Sequence, residues 1–328
     1  MSRCDSGDAG RKDRPAAGQQ DSRRGFLKKV GALSAAAIAA GHAADTPAAE
    51  QEPEPKLPQI RLGRYSISRL ICGNNCFGAG SHLSVFVNHE MRSYFTPEQI
   101  LKTLKRCQEV GINCWQAGSG SLELYRRLRD EGGKMHFLAI AAGNRGEIDK
   151  LAQGGCIAVA HHGEVTDRLF RNGQLGQVED YLKRIRDSGL LVGVATHMPG
   201  VVEEVESNGW DVDFYMTCVY ERHRTADQLK RMLGHVPIHP GEVYLSDDPA
   251  RMFKVMRQTA RPCLAFKILA AGRLSDRPEW VEQAFRDTFQ SIKPSDAAIV
   301  GIYDRYSDQP AECAALVRRF SAAGQRPA

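Results

Sequence analysis

The sequence predicts an α/β fold, a (β/α)8 TIM barrel, from three observations. Short apolar runs of strand length alternate with helix-length amphipathic segments from Leu62 onward. The runs are continuously apolar, as expected for parallel strands that are buried on both faces. Eight such units fill roughly 260 residues, close to the ~250 that are typical of this barrel. An open doubly wound sheet is the alternative, but no Gly-x-Gly-x-x-Gly motif follows the first run.

Each predicted strand is an apolar run of four or five residues, and each predicted helix lies between two runs. The helix with the clearest boundaries begins at Thr96-Pro97, carries Leu101 and Leu104 at helical spacing, and ends at Gly111. Further helices are predicted over 174–188, 199–208, 249–259, 278–290 and 308–320. The eight predicted strands are 69–73, 112–115, 136–140, 156–160, 191–195, 213–217, 263–266 and 297–300.

Residues 1–43 resemble a twin-arginine signal peptide. Arg23 and Arg24 precede Phe26-Leu27, a mildly apolar run of about a dozen residues follows, and small residues up to Ala43 suit cleavage. The run is too short, and too rich in Ala and Gly, for a stable membrane-spanning helix. The resemblance implies a bacterial protein that is exported, to the periplasm or beyond, with the twin-arginine translocation machinery as a partner.

The rest of the chain divides into a Pro- and Glu-rich linker at 44–58, one barrel domain at 59–322 and a tail at 323–328. Residues 1–43 carry eight basic and four acidic residues, so they hold +4 of the formal net charge of +5. A body near +1 has no basic face, and nucleic-acid binding is therefore not expected. There is no Cys-x-x-Cys motif, and five cysteines in strand-like runs are predicted to be small buried hydrophobes: Cys72, Cys114, Cys156, Cys218 and Cys263.

Polar residues follow the predicted strands, and in this barrel the loops after the strands form the active site. A small-molecule substrate is therefore expected at that end, and perturbed His and Lys side chains are common in such clefts. The Arg222-His223-Arg224 group on the long loop after the sixth strand is interpreted either as a lid or as solvated charge, and charge runs are usually solvated. The candidate catalytic residues are Gln116, His161, His162, His197 and Lys267.

The barrel order, with Leu62-Gly63, Ser68-Arg69-Leu70 and Gly111-Ile112-Asn113, resembles the aldo-keto reductase superfamily over residues 59–322. The resemblance implies an oxidoreductase that uses NADP on a small carbonyl or sugar-type substrate. It also implies that the last two strand–helix loops bind the cofactor. The residues that match those loops are Lys267, Gly272, Arg273, Gly301, Arg305 and Gln309.

The catalytic set that the resemblance implies is not the family's standard one. The family's Asp position reads Gln116, no Tyr follows it before Tyr125, and the third strand carries no Lys. Only His161 or His162 matches the family's His. The sequence therefore predicts a non-standard catalytic set, in which Tyr125 or Lys267 replaces the missing acid.

Two other functional classes stay open. One is a non-redox lyase, isomerase or hydrolase that uses the strand-end histidines, with Lys267 as an electrostatic clamp or a Schiff-base amine. Three histidines with Glu221 could ligate a divalent ion, but no His-x-His or His-Glu-x-x-His spacing supports this, so no metal ligands are assigned. The other class is a binding protein that uses the barrel end without turnover.

Overall fold

The computed structural model describes residues 56–143, 145–238 and 242–323. The predicted signal peptide, nearly all of the predicted linker and residues 324–328 of the predicted tail lie outside these residues. An antiparallel hairpin, β1 (Gln59–Leu62) and β2 (Tyr65–Ser68), precedes the barrel. The eight barrel strands are β3 (Leu70–Gly73), β4 (Cys114–Gly118), β5 (His136–Ala141), β6 (Ala158–His161), β7 (Leu191–Thr196), β8 (Phe214–Cys218), β9 (Cys263–Phe266) and β10 (Ala297–Gly301).

These eight strands form a closed parallel barrel in chain order, with β10 paired to both β9 and β3. The fold class that the sequence predicts is therefore confirmed, and every predicted strand is present within three residues of its predicted bounds. The helices are α1 (Val85–Tyr94), α2 (Pro97–Glu109), α3 (Leu122–Asp130), α4 (Arg145–Gln153), α5 (Gly163–Arg171), α6 (Gly176–Asp187), α7 (Pro199–Ser207), α8 (Ala226–Leu233), α9 (Asp248–Gln258), α10 (Pro278–Ser291) and α11 (Gln309–Ala323).

Local capping explains where several helices begin. Thr96 accepts a hydrogen bond from Gln99 N at 3.2 Å, and Pro97 takes the first helical position of α2. Thr225 and Gln228 form a complete capping box at the start of α8, and Gly234 ends that helix in the left-handed conformation at φ 78°. These ends coincide with the turn and cap residues that the sequence itself supplies.

The apolar side chains divide into two layers, as the alternation along each strand requires. Cys114, Leu138, Phe214 and Leu264 pack inside the barrel, whereas their strand neighbours pack against the helices. Gly193 faces Phe214 so closely that any Cβ there would collide with the ring. The five strand cysteines that are predicted to be buried hydrophobes are all buried free thiols. None of the described helices is both long and apolar enough to cross a bilayer.

The β1–β2 hairpin covers the N-terminal end of the barrel. Ile60, Leu62 and Ile67 are buried in the same cluster as the barrel-interior side chains. Asn113, just before β4, binds the hairpin through Ser68 N at 2.7 Å. Because this end is covered, the opposite end, where the strands stop, is the face on which side chains form a site.

The long loop after β8 is fixed by a buried ion pair. Arg224 and Asp248 have side chains that are 3% and 2% exposed, and Arg224 Nη1 donates to Asp248 Oδ2 at 3.1 Å. Asp248 also accepts from Leu245 N at 3.2 Å. Arg224 is thus a buried structural cation, and the interpretation of this residue as solvated charge was wrong.

We expect Arg224→Ala to destabilise the fold by about 3–5 kcal/mol, because it leaves the Asp248 carboxylate buried without its cation. Urea unfolding measures this loss. Arg231→Ala on exposed α8 is the matched control, and it should stay within about 0.5 kcal/mol of the parent. Equal losses in the two variants would contradict a structural role for the buried pair.

Candidate functional site

The first turns of α5, directly after β6, provide two carboxylates at the open end of the barrel. The carbonyl of His162 accepts hydrogen bonds from Val165 N at 2.9 Å and Thr166 N at 3.0 Å, so α5 begins directly after the strand. Glu164 and Asp167 are three residues apart in its first turns and therefore share one face. Asp167 is fully buried, whereas the side chain of Glu164 is 39% exposed.

Asp167 orients His197, the residue that follows β7. Its Oδ2 lies 2.7 Å from His197 Nδ1 and accepts from His197 N at 3.1 Å, while Thr196 Oγ1 donates to Oδ1 at 2.5 Å. A carboxylate on Nδ1 fixes the tautomer with the proton on that nitrogen, and leaves the lone pair of the neutral ring on Nε2. His197 Nε2 lies 4.0 Å from Glu164 Oε1, at the end of the barrel.

His223 and Arg222, on the loop after β8, approach the same carboxylates. His223 Nε2 lies 3.2 Å from Glu164 Oε2 and 3.4 Å from Asp167 Oδ2. Arg222 Nη1 donates to Glu164 Oε1, and Nη2 lies 2.9 Å from Glu242 Oε1. These side chains are only 12% and 17% exposed, so this part of the loop is not solvated charge either.

Glu242 links two loops that lie far apart in the sequence. Its Oε1 contacts His82 Nδ1 at 2.9 Å, on the connection after β3, as well as Arg222. Arg273 adds to this contact, since it donates to the His82 carbonyl at 3.3 Å and stacks on Tyr244 with its Cζ 4.1 Å from the ring centroid. The loops after β3, β8 and β9 are therefore joined at the site.

Lys267, directly after β9, is a partly buried amine among these groups. Its backbone has φ 60°, which is uncommon for a residue with a Cβ and is a conformation that clusters at functional sites. Among the described residues its Nζ has no hydrogen bond or ion pair, and its pKa is influenced by Cys218, Arg222, Glu242 and Glu164. Burial lowers the pKa of the amine below its ordinary value.

The remaining pKa shifts follow from the same contacts. The hydrogen bond to His223, with the Arg222 charge, lowers the pKa of Glu164 to about 2. Burial alone would raise the pKa of Asp167, but hydrogen bonds with His197 and His223 outweigh it and lower the pKa to about 2. The hydrogen bonds of those two carboxylates raise the pKa of His223 to about 9, whereas burial lowers the pKa of His197.

The predicted catalytic residues occupy different places. His197 and Lys267 belong to the cluster. Gln116 lies inside the barrel with Nε2 3.4 Å from the Ala117 carbonyl, and His162 precedes α5 with a buried Nδ1 that no described residue bonds. Tyr125 donates to the Met135 carbonyl at 3.1 Å in the outer layer.

His161 faces the helices. It follows Ala160 in β6, and because the side chain of Ala160 faces the barrel interior, that of His161 faces outward. Its Nδ1 lies 2.7 Å from Thr166 Oγ1. Its ring packs edge-on against Tyr181, with the ring centroids 5.0 Å apart. The side chain is buried, and burial lowers its pKa to about 4. His161 therefore packs as a neutral side chain between β6 and the helices.

We expect this neutral histidine to make the fold acid-sensitive. Because the folded pKa lies below the unfolded value, its contribution is complete above about pH 6.5 and is lost as the pH falls towards 4. The loss should be about 3 kcal/mol. Urea unfolding at pH 7 and pH 4.5 measures it, and His161→Gln should remove most of this difference. His89→Gln, on an exposed helix position, is the control, and an unchanged pH slope in His161→Gln would contradict the assignment.

The residues that match a reductase's cofactor loops make internal contacts. A Cβ on Gly272 would lie 3.1 Å from Leu83, and a Cβ on Gly301 would lie 2.9 Å from Cys76 Sγ. Arg305 pairs with Glu90 at 2.8 Å and has Tyr94 and Tyr306 beside it. Gln309 accepts from Tyr303 N at 2.8 Å. Arg305 also borders an open cavity of about 390 Å³ that Lys102 lines.

The cluster at this end of the barrel contains His197 and Lys267, which the sequence predicts as catalytic, and five residues that it does not: Glu164, Asp167, Arg222, His223 and Glu242. The one local signal is the spacing of Glu164 and Asp167 directly after two strand-end histidines. Glu221, which sequence reasoning placed with a metal, instead binds Arg224 and Arg251.

Comparison with known proteins shows similarity of fold alone. No protein-family model matches the chain, and no curated protein matches it significantly. A DAHP synthase from Thermotoga maritima shares 14% identity over 82% of this chain and 74% of its own, with a TM-score of 0.47. A glycerol dehydrogenase from Gluconobacter oxydans, an aldo-keto reductase, shares 12% identity over 82% and 97%, with a TM-score of 0.45.

An N-acetylneuraminic acid synthetase from Leptospira borgpetersenii shares 10% identity over 84% of this chain and 93% of its own, with a TM-score of 0.45. These proteins carry different reactions on barrels of the same class. At these identities and scores the likeness carries no argument about chemistry, which has to come from the side chains.

Proposed function

We propose that the chain is a non-redox enzyme, a lyase or isomerase, that acts on a small aldehyde or ketone through the amine of Lys267. The observation that carries the proposal is a partly buried lysine without a hydrogen-bonding or ionic partner among the described residues, beside an aspartate-oriented histidine. Partial burial without a partner disfavours the ammonium form, so the pKa of the amine is lowered. A neutral amine is the nucleophile that adds to carbonyl groups.

The chemistry follows from the two groups. The Lys267 nitrogen adds to the carbonyl carbon, and the carbonyl oxygen leaves as water, so a C=O bond is replaced by a C=N bond to the lysine. The protonated imine then acts as the electron sink when the neighbouring carbon loses a proton. His197 Nε2 accepts that proton, because Asp167 holds the ring with its lone pair on that atom.

The charges of the cluster suit this assignment. The positive charge of Lys267 lowers the pKa of His197, in addition to the larger effect of burial. The reaction needs both groups, the amine and the imidazole, in their neutral states. Arg222 is already bonded to Glu164 and Glu242, so we assign it to holding the two loops rather than to the reaction.

Trapping with borohydride tests the proposal. The purified chain is incubated with dihydroxyacetone, glycolaldehyde or pyruvate, reduced with borohydride, digested and analysed by mass spectrometry. We expect the reduced adduct on the peptide that contains Lys267, and at most background on the exposed Lys102. Absence of an adduct at Lys267 with every carbonyl of such a panel would refute the amine chemistry.

We further expect Lys267 to become reactive at lower pH than an ordinary lysine. Burial lowers its pKa, so the unprotonated amine is populated below the ordinary value of 10.5. Competitive acetylation, with free Nα-acetyl-lysine as the internal standard, measures the pH of half-maximal reactivity. A midpoint at or above 10.5 would contradict the lowered pKa.

An NADP-dependent reductase is the second candidate, and one observation favours it: Arg305 and Lys102 provide two cations at the 390 Å³ cavity. Binding of a phosphate group to Arg305 would require this side chain to leave Glu90. Titration with NADP and NAD tests this candidate. Saturable binding that is weakened in Arg305→Ala would support the reductase. Absence of binding of both nucleotides would refute it.

A further inference from the structure

We propose that Glu164, His197 and His223 form a site for a divalent transition-metal ion of the Zn²⁺ class. One ligand atom from each of the three residues lies within 4.8 Å of the other two. Two imidazoles and one carboxylate are a ligand set that Zn²⁺ and related ions take in proteins. The three residues lie at positions 164, 197 and 223, too far apart in the sequence to form a recognisable metal-binding motif.

The positions of the atoms are close to those that one ion needs. Glu164 Oε2 is 3.2 Å from His223 Nε2, and Glu164 Oε1 is 4.0 Å from His197 Nε2. Ligand atoms at about 2.0–2.2 Å from a tetrahedral ion are about 3.4 Å apart. The three ligand atoms lie within 4.8 Å of one another, so side-chain shifts of up to about 1 Å bring them to coordination distance.

Asp167 supplies the second requirement of a metal site. A ligating histidine commonly donates its other ring N–H to a carboxylate, which fixes the ring and keeps the metal-binding nitrogen free. Asp167 does this for His197 at 2.7 Å, and Thr196 Oγ1 and His197 N hold the carboxylate itself. Asp167 is thus a positioning residue for the ion.

The charges allow a cation but limit its affinity. Three carboxylates, those of Glu164, Asp167 and Glu242, face Arg222, Lys267 and His223, and the carboxylates raise the pKa of His223 to about 9. An ion at His223 Nε2 therefore has to displace the ring proton as well as compete with the two other cations. Arg222 competes most directly, because it bonds the Glu164 carboxylate. Removal of that guanidinium should therefore tighten metal binding.

The inference goes beyond the amine chemistry and does not depend on it. An ion on His197 Nε2 occupies the lone pair that proton abstraction uses, so the metal-bound and metal-free chains differ in their proton-transfer step. Lys267 is not among the ligands. Lys267→Met keeps all three ligands and removes one nearby cation, so it should bind the ion at least as tightly as the parent does, and this variant separates the two proposals.

The experiment is a titration of the full chain, purified with chelator and then dialysed, with Zn²⁺ by calorimetry and with Co²⁺ by visible absorption. We expect one saturable site, and Co²⁺ d–d bands of a site with nitrogen and oxygen ligands. Glu164→Gln, His197→Gln and His223→Gln should each abolish that site. Asp167→Asn should weaken binding by about 10- to 100-fold, and Arg222→Gln should strengthen it.

Two controls make the outcomes decisive. His89→Gln removes an exposed histidine and should leave binding unchanged. The melting temperature of Glu164→Gln is measured beside that of the parent, and its loss of binding counts as loss of a ligand because the titration is done at a temperature at which the variant is folded. Binding that survives all three ligand variants, or no saturable binding by the parent chain, would overturn the inference.

Discussion

Lys267→Met should abolish the borohydride adduct and lower the rate of proton exchange next to the carbonyl by at least ~10³-fold. Methionine has a similar length and no nucleophile, and it suits a partly buried position. The rate is measured as deuterium incorporation into the carbonyl probe in D₂O, followed by NMR. The parent chain should exchange the proton of the carbon next to the imine, because the imine is the electron sink.

Two further lysine variants distinguish chemistry from charge. Lys267→Arg keeps a cation at the site without a nucleophilic amine, so it should be as inactive as Lys267→Met. Lys102→Met, at an exposed position of α2, should catalyse proton exchange of the probe at the parent's rate. If Lys267→Arg retained exchange, the lysine would act as an electrostatic clamp, and the imine would have to be abandoned.

Asp167→Asn should lower the proton-exchange rate by on the order of 10³- to 10⁴-fold while the adduct on Lys267 still forms. Asparagine fills the same volume but can donate to His197 Nδ1, which moves the ring proton to Nε2 and removes the base. The informative result is the comparison of two measurements, because the amount of adduct on Lys267 should stay at the parent's level while the rate of proton exchange falls. A defect that was merely structural would reduce both together.

Asp296→Asn is the matched control for this variant. Asp296 is also a fully buried carboxylate, but it lies before β10, where it accepts from Cys263 N at 2.8 Å and pairs with Lys293 at 3.0 Å. We expect it to lower the melting temperature without changing proton exchange per folded molecule. Equal exchange defects in the two variants would show that buried carboxylates act only through stability.

The barrel could be predicted because its signal is local. Strands buried on both faces are continuous apolar runs, and Thr96-Pro97 or Thr225 with Gln228 marks a helix start within four residues. The hairpin over 59–68 and helices α1, α3, α4 and α5 were not predicted. In β1 only alternate residues are buried, β2 has one buried apolar residue, Ile67, and α1 has one buried residue, Met91, so neither the hairpin nor α1 gives a strong apolar pattern.

The site could be predicted only in part because it depends on closure of the barrel. His197 and Lys267 follow strands directly, which makes them visible in the sequence. Glu164 and Asp167 look like the acidic residues that favour any helix N-terminus, and His223 lies in a charged loop. Only the parallel pairing of β6, β7 and β8 brings these residues together. Successive residues of a strand face opposite sides of the sheet, so an error of one residue in the predicted register would place His161 inside the barrel instead of against the helices.

The pairing of β10 with β3 also sets the order of events during synthesis. The first barrel strand lacks one of its two neighbours until residues 297–301 have been made, so the sheet cannot close while the chain is still growing through its first nine-tenths. Slowing translation near the end of the message should lengthen the interval in which the chain is vulnerable to proteases, whereas slowing it near the start should not.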